Sequence, residues 1–246
     1  MKLYGLIGYP LGHSFSKKYF TEKFAKLGIL DTVYESFPIQ TINELKIVLL
    51  SNPELCGLNI TIPHKQAVLA FLDDDTRLAN GLSACNCIKI IDGKLIGYNT
   101  DVIGFEKSLL TNLKPCHTKA LVLGNGGAAD AVKFVLNKLK IEFKVVSRKL
   151  HEDSDVVYTD IDEKLITQHQ LIINTTPLGT FPNVDECPAI PYQFITSSHY
   201  LFDLVYNPVK TLFLKNGEAK GAIIKNGYDM LEIQAEESWR IWNEEN

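Results

Sequence analysis

The stretch Gly124-Asn125-Gly126-Gly127-Ala128-Ala129 has the spacing G-x-G-x-x-A, a form of the turn that cradles a dinucleotide pyrophosphate. Each residue type has a task. Gly124 permits the tight turn, Gly126 lets a phosphate approach the backbone, and Ala129 is small enough for helix and strand to meet, while the helix N-terminus faces the phosphates. The ribose end of such a site lies about 20 residues further on, where an NAD enzyme carries a carboxylate for the ribose hydroxyls. Here the residues are Ser147-Arg148-Lys149. Two cations and a hydroxyl suit a ribose phosphate, which a carboxylate would repel, so the expected cofactor is NADP (NADPH) in preference to NAD. Glu152 and Asp153 follow closely and could reach back toward the ribose.

A second set of chemically capable residues gathers in the N-terminal half: Ser14-Phe15-Ser16, Asn59-Ile60-Thr61-Ile62-Pro63-His64-Lys65, Cys85-Asn86-Cys87 and Asn99-Thr100-Asp101. They stand at strand ends, where open α/β sheets bind their ligands. Taken singly, the serines read as helix caps, Asn59 and Thr61 as strand-end hydrogen bonders, Lys65 as a solvated side chain, and Asn99-Thr100-Asp101 as a turn and cap. A joint chemical role requires the four clusters to converge. His64 and Cys116-His117 have no neighbours at metal-ligand spacing, so no metal is expected. Cys85 and Cys87 share one face of a strand and read as small core residues.

The elements that must position these groups follow from the apolar pattern. Short apolar runs alternate with helix-length amphipathic stretches: a strand at Leu3 to Ile7, a helix from Ser16 to about Leu27, and strands near Val33 and Leu58 with a helix between. Asp101 is placed to cap a helix from Val102 to Leu110. The pattern then restarts with the strand Ala120 to Leu123, the glycine turn, a helix from Ala128 to Leu139 and a strand from Glu142 to Val146. Strands at Leu171 to Ile173 and Leu201 to Val205 and a final helix from about Met230 to Trp242 complete the chain. This alternation predicts an α/β fold of two domains. Residues 1–100 with 228–246 form the first, an α/β substrate domain, and residues 101–227 form a Rossmann-type NADP-binding domain. Leu150 to Ile161 is too polar and too β-prone for the helix that usually follows the ribose loop.

Bulk properties narrow the class of partner. The chain has 246 residues, 46% hydrophobic, with a net charge of -4, which gives no general attraction to nucleic acid or anionic membrane. A small-molecule partner is expected. The five cysteines include no Cys-x-x-Cys spacing, which speaks against a disulfide framework and a structural zinc. No signal-peptide pattern precedes the first strand and no apolar run approaches membrane length, so a cytoplasmic setting is expected.

Gly8-Tyr9-Pro10-Leu11-Gly12-His13-Ser14-Phe15-Ser16, Gly57 through Lys65, Asn86 and Gly97-Tyr98-Asn99-Thr100-Asp101 together resemble the substrate-domain motifs of shikimate dehydrogenases. The resemblance runs on through the glycine turn, Asn174-Thr175-Thr176-Pro177-Leu178-Gly179, Asp203-Leu204-Val205-Tyr206-Asn207-Pro208 and Gly227 through Gln234. It implies an NADP-dependent oxidoreductase of chorismate and aromatic amino-acid biosynthesis, interconverting 3-dehydroshikimate and shikimate as a monomer or homodimer. It also implies roles. Ser14 and Ser16 bind the substrate carboxylate, Asn59, Thr61, Asn86 and Gln234 surround the ring hydroxyls, and Tyr206 faces the substrate. Lys65 and Asp101 meet at the reacting hydroxyl, and Leu204 and Gly227 lie beside the nicotinamide.

Hydride transfer at an alcohol carbon leaves a proton to be moved on or off oxygen, and Lys65 is the expected carrier, with Asp101 orienting both partners. The chain departs from the family at Ser147-Arg148-Lys149, where Asn-Arg-Thr is usual, at Thr180, where Met is usual, and at Cys87, where Thr is usual. Two alternatives share these residues. A quinate or dual quinate/shikimate dehydrogenase would differ in a ring hydroxyl, and a non-catalytic shikimate-binding sensor would lack turnover.

Overall fold

The computed structural model describes residues 1–12, 15–150 and 154–244. Its internal contacts divide the chain into two units, Met1–Thr100 with Ala235–Asn246, and Asp101–Gln234.

The first unit is built on a five-stranded sheet of order β2-β1-β3-β4-β5. Its strands are β1 (Lys2–Gly8), β2 (Thr32–Pro38), β3 (Leu55–Ile60), β4 (Cys87–Ile91) and β5 (Lys94–Tyr98), joined in part by α1 (Phe15–Leu27) and α2 (Leu45–Ser51). Residues alternate between faces along β1. Leu3 and Ile7 enter one core with Leu45, Leu58 and Val68, whereas Tyr4 and Leu6 enter another with Phe20, Tyr34 and Trp242. Trp242 stacks on Tyr4 at 4.7 Å and donates its indole N–H to the Ile88 carbonyl at 2.9 Å. The parallel strands β2 and β3 flank β1 on opposite sides. The chain therefore leaves β1 and β3 toward opposite edges, which opens a crevice at their carboxyl ends.

The second unit holds a six-stranded sheet of order β11-β10-β9-β6-β7-β8, parallel throughout. Its strands are β6 (Lys119–Leu123), β7 (Glu142–Ser147), β8 (Val156–Val157), β9 (Leu171–Asn174), β10 (Tyr200–Asp203) and β11 (Ile223–Lys225). Its helices are α3 (Thr100–Leu110), α4 (Gly127–Lys138), α5 (Glu163–Gln168), α6 (Leu212–Glu218) and α7 (Tyr228–Asn243), the last continuing into the first unit. Ala120 through Leu123 and Leu171 through Ile173 are fully buried, as strands covered on both faces must be, hence their unbroken apolar runs. Numbered from β6, the order is that of the doubly wound dinucleotide fold, with its switch point between β6 and β9.

Several local expectations shift. The helix expected from Val102 begins at Thr100, because the Asn86 side chain accepts from the Thr100 N–H at 2.6 Å, so Asp101 sits in the first turn instead of capping it. β10 ends at Asp203, since the Val205 N–H turns back to the Asp203 carboxylate at 3.0 Å. The described part of Leu150 to Ile161 forms β8 and a single 3-10 turn, Tyr158–Asp160, and no α-helix. Glu152 and Asp153 lie outside the described residues. Among the described residues no helix is long and apolar enough to cross a membrane, and no group of three or more His, Cys, Asp or Glu could hold a metal ion.

Candidate active site

In the first unit the crevice between β1 and β3 collects the polar clusters. The chain leaving β3 is pinned when the Thr61 N–H donates to Ile7 at 2.9 Å and the His64 N–H to Thr61 at 2.9 Å. His64 is buried, with its Nε2 at 2.8 Å from the Ile39 carbonyl, so it anchors the turn that presents Lys65. The half-buried Lys65 accepts the Cys85 N–H on its own carbonyl at 2.8 Å, and the Asn86 carbonyl accepts from Ile60 at 2.9 Å. Asn86 in turn holds Thr100 through both ends of its amide, and Asn99 donates to the Ala84 carbonyl at 2.8 Å. Three of the four clusters are thus stitched into one face. Ser16, buried in α1, lies near Tyr34, whose hydroxyl reaches Asn59 at 2.9 Å. Ser14 lies outside the described residues.

In the second unit a cavity of about 790 Å³ opens at the carboxyl ends of β6, β7 and β9. Gly124, Asn125, Gly126, Ser147, Arg148 and Lys149 all line it, and the rest of the turn, Gly127 through Ala129, begins α4. Gly124 has φ +108, and a Cβ there would meet Thr175 Oγ1 at 2.8 Å and Thr176 Cγ2 at 2.9 Å, so only glycine serves. At Gly126 nothing among the described residues lies within 4 Å of a would-be Cβ, which leaves the backbone open to a phosphate. The Ser147 hydroxyl donates to the Lys149 carbonyl and so closes the loop that carries Arg148. The open cradle and the cation pair fit a dinucleotide bearing a ribose phosphate.

Asp101 and Gln234, both buried, belong to α3 and α7. These helices meet at Gly104, where a Cβ would lie 2.6 Å from the Met230 carbonyl oxygen and 3.2 Å from the Gln234 Cβ. Leu204 and Gly227 are brought together as well: a side chain at Gly227 would overlap the Leu204 carbonyl oxygen, and the Gly227 N–H donates to Val205 at 3.2 Å. Tyr206 is half-buried, and burial raises its pKa, so its phenol stays a donor at neutral pH.

Residues 6–88 match the model of the shikimate dehydrogenase substrate binding domain. A shikimate dehydrogenase (NADP(+)) of Methanococcus maripaludis strain C7 is 37% identical, across 98% of this chain and 91% of the relative. The chain belongs to the shikimate dehydrogenase family. Solved members share its fold closely. Shikimate 5-dehydrogenase of Thermus thermophilus, solved with NADP(H) and shikimate, superposes with a TM-score of 0.85 at 29% identity, over 99% of this chain and 94% of that one. The quinate dehydrogenase of Corynebacterium glutamicum, solved with NAD, gives a TM-score of 0.85 at 27% identity, over 98% and 93%.

Two contributions to this shikimate dehydrogenase fold escape sequence reasoning. Tyr158, Thr175, Thr176, Pro177 and Leu178 also line the cavity. The signal for the last four was available, because β9 neighbours β6 in a doubly wound sheet and its exit loop must share the crevice. The second is Asp203, fully buried at the end of β10. Its carboxylate accepts from Asn174 at 2.9 Å, Val205 N at 3.0 Å and Thr211 at 2.5 Å, and Asn174 in turn accepts from the Thr176 N–H at 3.0 Å. One buried acid therefore braces the loops after β9 and β10.

Burial pushes the Asp203 carboxyl up from an ordinary 3.8 to about 6, against its three donors, which favour the ionised form. Because the folded value is raised, its contribution to stability is fully present below about pH 4 and is lost as pH rises toward 6, by about 3 kcal/mol. Asp203→Asn cannot ionise and keeps an oxygen for Asn174 and Val205. Urea unfolding at a series of pH values should show the variant gaining on the parent between pH 4 and 6 and levelling off above. A difference independent of pH would mean that Asp203 does not titrate in that window.

Proposed function

We propose that the chain catalyses the reversible NADPH-dependent reduction of 3-dehydroshikimate to shikimate, with the first unit binding the substrate and the second the cofactor. The observation that carries this reading is the joined polar face of the first unit, in which Asn59, Lys65, Asn86 and Thr100 are drawn together from distant parts of the sequence. The open backbone at Gly126 and the cations Arg148 and Lys149 support the cofactor half.

When bound, NADPH supplies a hydride to the ketone carbon. Lys65 gives a proton to the ketone oxygen in reduction and takes it from the alcohol in oxidation, and Asp101 orients Lys65 and the reacting hydroxyl. Ser14 and Ser16 receive the substrate carboxylate, and the protonated Tyr206 faces the substrate. Asn59, Thr61, Asn86 and Gln234 sort the ring hydroxyls, and Leu204 and Gly227 border the nicotinamide. Gly124 through Ala129 hold the pyrophosphate, and Ser147, Arg148 and Lys149 the ribose phosphate. The setting is cytoplasmic, no metal, nucleic acid or membrane takes part, and the enzyme works as a monomer or homodimer.

Following absorbance at the NADPH band with NADP or NAD against shikimate or quinate tests substrate, cofactor and catalysis together. Turnover is expected with shikimate and NADP. Turnover confined to quinate would reassign the substrate, and saturable shikimate binding without turnover would make the chain a sensor.

A further inference from the structure

We infer that Tyr34 is a positioning residue for the substrate-binding face, fixing the Asn59 amide and through it a buried polar chain that runs from Tyr34 to Asn86. This rests on the substrate role proposed above for those residues. Tyr34 projects from β2 into the apolar core, 2% exposed, with its ring stacked on Phe20 at 4.6 Å. Its hydroxyl is one of the few polar groups in that core, beside the Trp242 indole N–H. It meets Asn59 Oδ1 at 2.9 Å, while Asn59 Nδ2 lies 2.9 Å from Ser238 Oγ and 3.4 Å from the Asn86 carbonyl.

The direction of every bond follows from one atom. A carbonyl oxygen only accepts, so the end of the Asn59 amide that faces Asn86 must be its nitrogen. The amide oxygen then faces Tyr34, and Tyr34 must donate. Burial holds the Tyr34 phenol well above its ordinary pKa, so this donor persists across the working pH range. The phenol oxygen keeps a lone pair with which to accept, and Ser16 is near enough to act on it. Beyond Asn59 the chain continues through Ser238 to Thr100 at 3.3 Å, and Thr100 receives Asn86 Nδ2 at 3.0 Å. Ser16, Asn59, Ser238, Thr100 and Asn86 are all buried.

The consequence is a defined polarity. Both N–H groups of Asn59 are committed to Ser238 and Asn86, so toward a ligand Asn59 offers only the second lone pair of its oxygen. It can accept a hydrogen bond from a ring hydroxyl and cannot donate one. Without the Tyr34 hydroxyl, the oxygen end of the amide loses the donor that holds it, and the amide is held only through its nitrogen, by Ser238 and Asn86.

Tyr34→Phe removes the hydroxyl and keeps the stacked ring. The expected result is a rise of about tenfold in KM for shikimate, with kcat and the KM for NADP within about twofold of the parent. Since Tyr34 acts through Asn59, the double variant Tyr34→Phe with Asn59→Ala should be no worse in shikimate KM than Asn59→Ala alone. Ser238→Ala, which removes the other anchor of the amide, should show the same split and serves if Tyr34→Phe does not fold. An unchanged shikimate KM, a parallel loss in kcat and NADP affinity, or additive losses in the double variant would each overturn the inference. If the parent turns over no shikimate, the functional reading fails, and the anchor is judged by the side-chain amide resonances of Asn59 in asparagine-labelled protein. Those should move in Tyr34→Phe, and resonances that stay in place overturn the anchor itself.

Discussion

Lys65→Ala should lower turnover of shikimate by about two to four orders of magnitude while changing its KM only a few-fold. The asymmetry comes from where a proton carrier acts. Charge builds on the substrate oxygen only as hydride moves, so a group that supplies or removes that proton stabilises the transition state far more than the bound alcohol. The turn that carries Lys65 is well placed for this, held on one side by buried His64 and on the other by the Cys85 N–H. Its backbone is therefore fixed while the side chain extends from a half-buried position.

Lys65→Arg separates two ways in which the lysine could work. Arginine keeps the positive charge but does not give up its proton, so it preserves attraction to a developing alkoxide and abolishes transfer. If proton transfer is the role, Lys65→Arg should be nearly as slow as Lys65→Ala. If charge alone matters, arginine should recover much of the rate. Steady-state kinetics in the oxidative direction, at saturating NADP, distinguish the two. Unchanged turnover in Lys65→Ala would remove Lys65 from the mechanism, and a collapse confined to KM would make it a binding residue.

The parts of the fold that the sequence announces are those set by local pattern. Ala120 through Leu123 reads as a buried parallel strand because it is one, and the glycine turn after it is legible because its steric demands fall on neighbouring residues. The reasons Asp101 lies inside a helix and not at its cap are not local. The helix start is fixed by Asn86, fourteen residues earlier, and periodicity carries no record of that bond. Tyr34 shows the same limit more sharply. On β2 it alternates as a core residue should, and its ring is one, but the hydroxyl works only because Asn59 arrives from β3 and Ser238 from α7, 179 residues beyond Asn59. Asp203 has a motif around it and a local bond to the Val205 N–H, but the partners that make it a brace, Asn174 and Thr211, come from elsewhere in the fold. Tyr158 was hidden for another reason: it enters the cofactor cavity from a short 3-10 turn in a polar stretch whose sequence marks no regular element.

Replacing Arg148 and Lys149 together by alanine should weaken NADP by about 100-fold or more and NAD by less than about threefold. The two cofactors differ in a single phosphate, so a difference in their losses isolates what these cations do. Each hydrogen bond to a charged group contributes about 1.5–3 kcal/mol, so losing both removes at least about 3 kcal/mol, which is on the order of 100-fold. Arg148 should account for more of it than Lys149, because its planar fork can take two phosphate oxygens at once. The loop should survive the change, since Ser147 closes it through the backbone carbonyl of residue 149 and not through either cation. Both side chains are exposed, so added salt should also weaken NADP binding in the parent more than NAD binding, and this salt sensitivity should shrink in the double variant. Dissociation constants for both cofactors, measured by titration calorimetry at two ionic strengths, test the whole set without relying on turnover. Equal losses for NADP and NAD would mean that the pair grips the adenosine common to both, and selectivity would then have to come from elsewhere in the cavity, with Tyr158 and Thr175 the first positions to vary.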